Sequence, residues 1–139
     1  NAQEIMDKIV EQQRFFDSEV FVESNGGQDF LIQLMNLGGA KFKVNPFFTT
    51  SKNKFDPSYG IESIAAEMAM GRWTLPSYDG TREQTDEETD ELIEEMLAYT
   101  PGNHTGDILM SLWIAREGGR TSRGSSTPTV EFGSLRLRR

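Results

Sequence analysis

The sequence predicts an α/β fold, a small sheet of few strands flanked by helices, and three observations carry that prediction. "EVFVE" (19–23) is short, β-branched and aromatic without polar alternation, the pattern of a strand covered on both faces, as in a parallel sheet. "KFKVNPFF" (41–48) reads as a second strand, and "QDFLIQLMNL" between them has helical spacing, which makes residues 19–48 a β-α-β unit. Several longer stretches with apolar residues at i, i+3 and i+4 surround that unit and predict helices.

Taken in order, "QEIMDKIVEQQRFF" (3–16) places Ile5, Met6, Ile9, Val10 and Phe16 near helical spacing, with Glu4 and Lys8 as an i,i+4 pair. Asn1-Ala2 reads as the remnant of an expression tag, with no initiator Met before it, so the chain is expected to be a piece of a longer protein. "SNGG" breaks the first strand, Gly38-Gly39 stops the following helix, and Pro46 marks the end or an edge of the second strand. "SYGIESIAAEMAMGRW" predicts a helix ending at Gly71, "TLPS" is extended, and the acidic stretch 83–97 forms a surface helix. Residues 105–117 hold Ile108, Leu109, Met110, Leu112, Trp113, Ile114 and Ala115, and a helix apolar all round is a buried one. From Gly118 the chain is rich in Gly, Ser, Thr and Arg. A folded region over 3–119 is therefore expected, followed at 120–139 by a flexible Arg-rich tail or, through "TVEFGSLRL", a terminal hairpin.

At 139 residues the chain is at most one domain. It has no cysteine, which excludes a disulfide framework and a zinc-thiolate site. No run of about 18 apolar residues and no signal peptide is visible, so an intracellular protein with no membrane partner is expected. The formal charge of −8 is local. Glu83, Asp86, Glu87, Glu88, Asp90, Glu91, Glu94 and Glu95 equal the whole excess and leave the rest balanced. Two regions are basic, "KFKVNPFFTTSKNK" and the end from Arg116 onward, so net acidity does not exclude a DNA-binding face.

Ligands gather beyond the carboxyl ends of parallel strands. Glu23 ends the first strand and "SNGG" follows it; the residue is either a candidate ligand or a solvated strand end. Asp107, opening the apolar helix, can reach the same edge. With Thr105 it can equally act as a helix cap, favoured by the helix dipole. His104 is either a ligand or proton shuttle, or a loop histidine bonded to backbone. Carboxylates without cysteine suit hard cations such as Mg²⁺ and Mn²⁺. Lys43, Lys52 and Lys54 are candidates for sequence-independent phosphate contacts, or ordinary solvated lysines. There is no GxxxxGK[ST] loop, the Gly-Gly pairs (Gly118-Gly119 among them) are punctuation, and one histidine supports no plausible triad. The acidic helix reads as a solvated face.

"VFVESNGGQDFLIQL" resembles the segment around the second active-site acid in the nuclease domain of the large terminase subunit of tailed bacteriophages. "GNHTGDILMSLWIA" resembles the family's third acidic motif, written His-Asp-Asp before an apolar helix. "TTSKNKFDPSYGIESIAAEMAMGRWTLP", between them, resembles the family's Thr-x-x-Lys stretch, helix and short run to proline. The three stand in the family's order over residues 19–116.

The resemblance implies a partial RNase H-like fold lacking the first strands and their catalytic Asp. It also implies metal-dependent endonucleolytic cleavage of concatemeric viral DNA during genome packaging, with two Mg²⁺ or Mn²⁺ ions. Glu23 matches the second acid, Asp107 the third, and His104 the histidine just ahead of it. Gly106 departs from the pattern, standing where one of two neighbouring Asp residues is usual. The implied partners are double-stranded DNA and, through the tail, the portal and small terminase subunit. The implied location is the bacterial host cytoplasm, from a phage or prophage. The piece alone, with two of the three or four carboxylates needed, is expected to be inactive. Two other readings stand beside this one: another RNase H-like nuclease of resolvase or transposase type, and a non-catalytic interaction module.

Overall fold

Two hydrophobic clusters, one on each face of a two-stranded parallel sheet, organise the chain. The computed structural model describes residues 1–25, 28–38 and 41–122. Helix α1 (Ala2–Phe16) starts from a capping box, Asn1 and Glu4 each accepting from the other's backbone, and ends at Asp17 in the left-handed region. Strand β1 (Val20–Glu23), helix α2 (Gln28–Leu37) and strand β2 (Val44–Phe47) follow. The strands pair in parallel, Val20 beside Val44 and Glu23 beside Phe47. The predicted β-α-β unit is present, and the fold is α/β.

Strand alternation sends side chains to two faces. Val20, Val22 and Val44 join Ile32 and Met35 of α2 and Met6, Ile9 and Val10 of α1. Phe21 and Phe47 join the larger cluster around Ile61, Ile64, Leu92, Leu109, Trp113 and Ile114. Both faces are covered, as expected, yet all four β1 residues are only half-buried, because one edge of β1 has no neighbouring strand among the described residues.

The two outer edges differ. The Ser24 N–H donates to the Phe47 carbonyl at 2.8 Å. Backbone groups along a parallel pair alternate sides, so Val20 and Val22 face β2 while Phe21 and Glu23 face outward. On β2, Val44 and Pro46 face outward. The Asn36 side chain meets Val44 there: its Oδ1 accepts the Val44 N–H at 3.3 Å and its Nδ2 donates to the Val44 carbonyl at 3.5 Å. Pro46 has no N–H to leave unpaired, so a proline sits mid-strand without cost. Asn36 closes the Val44 end of the β2 edge. Among the described residues the β1 edge is open.

Helix α3 (Ser51–Lys54) is one turn with a Thr50–Asn53 capping box, and α4 (Ile61–Ala69) is followed by Gly71 at φ +70, the expected stop. After a 3₁₀ turn (Arg82–Gln84), the acidic stretch forms α5 (Glu87–Ala98), capped by Asp86. The last described helix is α6 (Asp107–Ser122).

Three expectations need correction. Helix α6 is not buried all round: Leu109, Trp113, Ile114, Glu117 and Gly118 are buried, whereas Asp107, Ser111 and Ala115 are exposed on the face toward the open edge. Gly118-Gly119 does not punctuate the helix, which runs on to Ser122, past the expected boundary at 119/120. A Cβ at Gly118 would lie 2.6 Å from the Phe21 ring, so glycine is there to let the helix approach β1. The acidic stretch 83–97 is not one helix either: a 3₁₀ turn precedes α5, which starts at Glu87 and turns most of its acids to solvent as expected while burying Thr89 and Leu92. The expected breaks at Gly26, Gly27 and Gly39, and the expected tail or hairpin over 123–139, lie outside the described residues.

Candidate metal centre

The open edge of β1 forms the floor of a groove of about 1160 Å³. Ile5 and Ile9 of α1 stand on one side, Met110, Ile114 and Ala115 of α6 on the other. Glu23, His104, Asp107 and Lys54 also line it. Glu23 and Asp107 thus reach one groove by two routes, one as the last residue of β1, the other as the first of α6.

Each acid is held by its surroundings. The Glu23 carboxylate accepts from Asn25 Nδ2 at 3.3 Å, and the same nitrogen donates to the Thr49 carbonyl at 2.8 Å, which ties the loop after β1 to the end of β2. Asp107 and His104 are exposed. Asp107 lies in the first turn of a sixteen-residue helix, where a negative charge is favoured.

The expected Thr105 cap is absent. Thr105 is buried and its hydroxyl has no hydrogen-bond partner. The cap comes from α5: the Glu95 carboxylate accepts the Leu109 N–H at 2.7 Å. The cap also requires glycine at position 106, because a Cβ on Gly106 would fall 2.0 Å from Glu95 Cδ. A second acid at 106 and the Glu95 cap exclude one another.

Helix α6 is fixed in place by α4. Arg116 pairs with Glu67 at 2.7 Å and donates to the Tyr59 carbonyl at 2.7 Å and to Ser63 Oγ at 2.8 Å. Trp113 Nε1 also reaches the Tyr59 carbonyl at 2.9 Å, and Trp73 Nε1 holds the other Glu67 oxygen at 2.7 Å. Sequence reasoning missed Glu95, Glu67 and Arg116. An acid amid eight acids and an arginine at a helix end carry no signal until the partner helix is known.

The three lysines do not share a face. Lys54 lines the groove, Lys52 is exposed on α3, and Lys43 borders a cleft with Glu19 and Ser122 at the opposite, amino end of the strands.

As a cation site the donor set has the right chemistry but is spread out. Four carboxylates (Asp17, Glu19, Glu23 and Asp107) and the His104 imidazole line the groove, but among the described residues no three His, Asp or Glu side chains cluster closely enough to hold an ion. Among the described residues no helix is long and apolar enough to cross a membrane. No family model, curated protein or solved structure matches this chain.

Proposed function

We propose that this chain is part of a metal-dependent DNA endonuclease of the phage terminase type, with an RNase H-like core, acting in genome packaging. One observation supports the reading above the others. Glu23, at the carboxyl end of a parallel strand, and Asp107, at the start of the helix packed across it, open onto one groove, and the motifs that suggested a nuclease contribute one acid each. In this reading Glu23 and Asp107 hold Mg²⁺ or Mn²⁺, with further carboxylate supplied from outside the described residues. A bound ion would supply Lewis-acid activation of water and charge stabilisation at a phosphodiester. Lys54 is placed to meet a backbone phosphate at the groove, and exposed His104 to orient water or accept a proton.

Calorimetric titration with Mn²⁺ tests the shared site. Weak binding that is lost in both Glu23→Ala and Asp107→Ala supports it, and identical isotherms for all three proteins overturn it. Plasmid nicking on the whole parent protein, abolished by either substitution, is the companion assay. A second reading, an interaction module, is favoured by the outer edge of β1, which no strand joins among the described residues, a feature that binding proteins use to accept an added strand.

A further inference from the structure

We infer that the segment 48–55 is a site for unpaired nucleotides of a single DNA strand, with Phe48 and Phe55 stacking on bases and Lys52 and Lys54 meeting phosphates. This site deepens the nuclease reading above and rests on it for the choice of DNA, naming as substrate a strand opened beside the groove.

Residues 47–55 read "FFTTSKNKF", aromatic at both ends and basic between. No Asp or Glu occurs from Phe30 to Phe55, a stretch that holds Lys41, Lys43, Lys52 and Lys54. Phe47 packs into the larger cluster against Trp113, ring centroids 5.5 Å apart. Phe48, just past β2, continues the alternation to the other side and is 61 % exposed. Phe55 closes α3 and is 45 % exposed. One exposed aromatic ring is ordinary. Two rings with lysines between them combine the features that bind a strand without sequence preference, stacking faces for bases and positive charge for phosphates.

Hydrogen bonds hold the segment in shape. Thr50 and Asn53 cap one another, and Asn53 Nδ2 also donates to the Phe48 carbonyl at 2.8 Å. The Phe55 N–H donates to the Ser51 carbonyl at 3.1 Å, and the Lys54 N–H to the Thr50 carbonyl at 2.9 Å. The backbone that carries both rings is thus ordered before a strand arrives, which lowers the cost of binding. Lys54 Nζ lies 5.7 Å from the centre of the Phe55 ring, within the range of a cation–π contact, so base and phosphate contacts would sit side by side. Asp56 follows, but its Oδ1 accepts from the Ser58 and Tyr59 N–H groups at 2.8 and 2.9 Å, which offset its charge.

The segment is also joined to a candidate acid. Asn25 Nδ2 donates both to the Thr49 carbonyl at 2.8 Å and to the Glu23 carboxylate at 3.3 Å. Lys54 lines the groove together with Glu23. The acids Asp17, Glu19, Glu23 and Asp107 repel phosphates along the groove, whereas Lys52 and Lys54 attract them at its α3 rim. A strand held at that rim lies beside the carboxyl end of β1. A duplex keeps its base faces inside its own stack, so the two rings favour an unpaired strand.

Fluorescence anisotropy of a labelled oligothymidylate of about 12 nucleotides, titrated with the full chain in EDTA, tests the site without its metal. The single strand should bind at least about tenfold more tightly than a duplex of equal length. Phe48→Leu and Phe55→Leu should each weaken binding about tenfold, because apolar bulk is kept while the stacking face is lost. Phe48→Trp should keep the affinity and lose indole emission on binding. Lys52→Gln/Lys54→Gln should reduce the slope of log affinity against log salt by about 1.4. Equal affinity for single strand and duplex overturns the inference, as does unchanged affinity in both leucine variants. Absence of binding by the wild type at low salt overturns it as well. Each of these failures leaves the Mn²⁺ titration of Glu23 and Asp107 untouched, and identical Mn²⁺ isotherms in turn leave the strand site standing.

Discussion

The Glu95 carboxylate accepts the Leu109 N–H at 2.7 Å, so the start of α6 is capped by a neighbouring helix and not by the residues preceding it. A helix N-terminus needs such an acceptor. Glu95→Ala should lower stability by about 1 kcal/mol in urea unfolding, and Glu95→Gln should retain part of that. Gly106→Asp forces Glu95 aside. Combined with Glu95→Ala it should cost less than the two single changes added together, because the introduced carboxylate can take over the cap.

Gly118→Ala tests the closest approach of helix to strand. The added methyl would lie 2.6 Å from the Phe21 ring, an aromatic carbon with no flexible end to move. A loss of about 1–3 kcal/mol is expected from this overpacking. Phe21→Leu in the Gly118→Ala background should recover part of it, and a double-mutant cycle measures the coupling.

Arg116→Ala should be among the most damaging single changes away from the apolar core. Its side chain is 13 % exposed, and its removal leaves Ser63 Oγ and one Glu67 oxygen without the Arg116 donor and the Tyr59 carbonyl with Trp113 Nε1 alone. A cost of about 3 kcal/mol follows from orphaned, partly buried acceptors. Loss of the near-ultraviolet signal of Trp73 and Trp113 at lower denaturant checks it.

Asp86 governs how α5 responds to acid. Hydrogen bonds from Thr89, its side chain first and its backbone second, hold the Asp86 carboxyl below its ordinary 3.8. A depressed folded value means the cap is fully present above 3.8 and is lost as pH falls through the lower, folded value. The Thr89 amide shift should titrate in that window in the wild type and stay flat in Asp86→Asn.

Glu23→Ala and Asp107→Ala should barely move the thermal midpoint. Glu23 is half-buried with one side-chain partner and Asp107 is exposed, so only a small dipole term of about 0.5 kcal/mol is at stake for Asp107. Loss of Mn²⁺ binding without loss of stability would separate ligand removal from unfolding.

What the sequence made legible was local. Consecutive apolar residues marked β1, the 3.6 spacing marked α1, α2 and α4, and both candidate acids were visible as polar residues at element ends. The failures were long-range. Thr105 looks like a cap in isolation, and only α5, folded alongside, supplies the Glu95 carboxylate that displaces it. Gly118 looks like a stop, and only the Phe21 ring opposite gives it another purpose. The apolar run 108–115 suggested burial on every side because local pattern cannot reveal that, among the described residues, no strand lies beside β1 on the groove side. Whether Glu23 and Asp107 belong to a ligand set was equally beyond local pattern, since cluster size depends on parts brought from a distance.

Ser122 and Glu19 share a hydrogen bond across 103 residues of chain. During synthesis this has an order to it. The β-α-β unit and α1 leave the ribosome first and can form the smaller cluster from local contacts alone, but Phe21 and Phe47 then face water until Trp113 arrives. Helix α6 is the lid that closes the larger cluster, and it is made last among the described elements. A nascent chain stalled before Gly118 would carry an exposed aromatic sheet face and an unpaired strand edge at once, the combination that holding chaperones recognise. The stability of the finished protein is therefore separate from its yield, and the residues that decide yield are those that let α6 dock quickly.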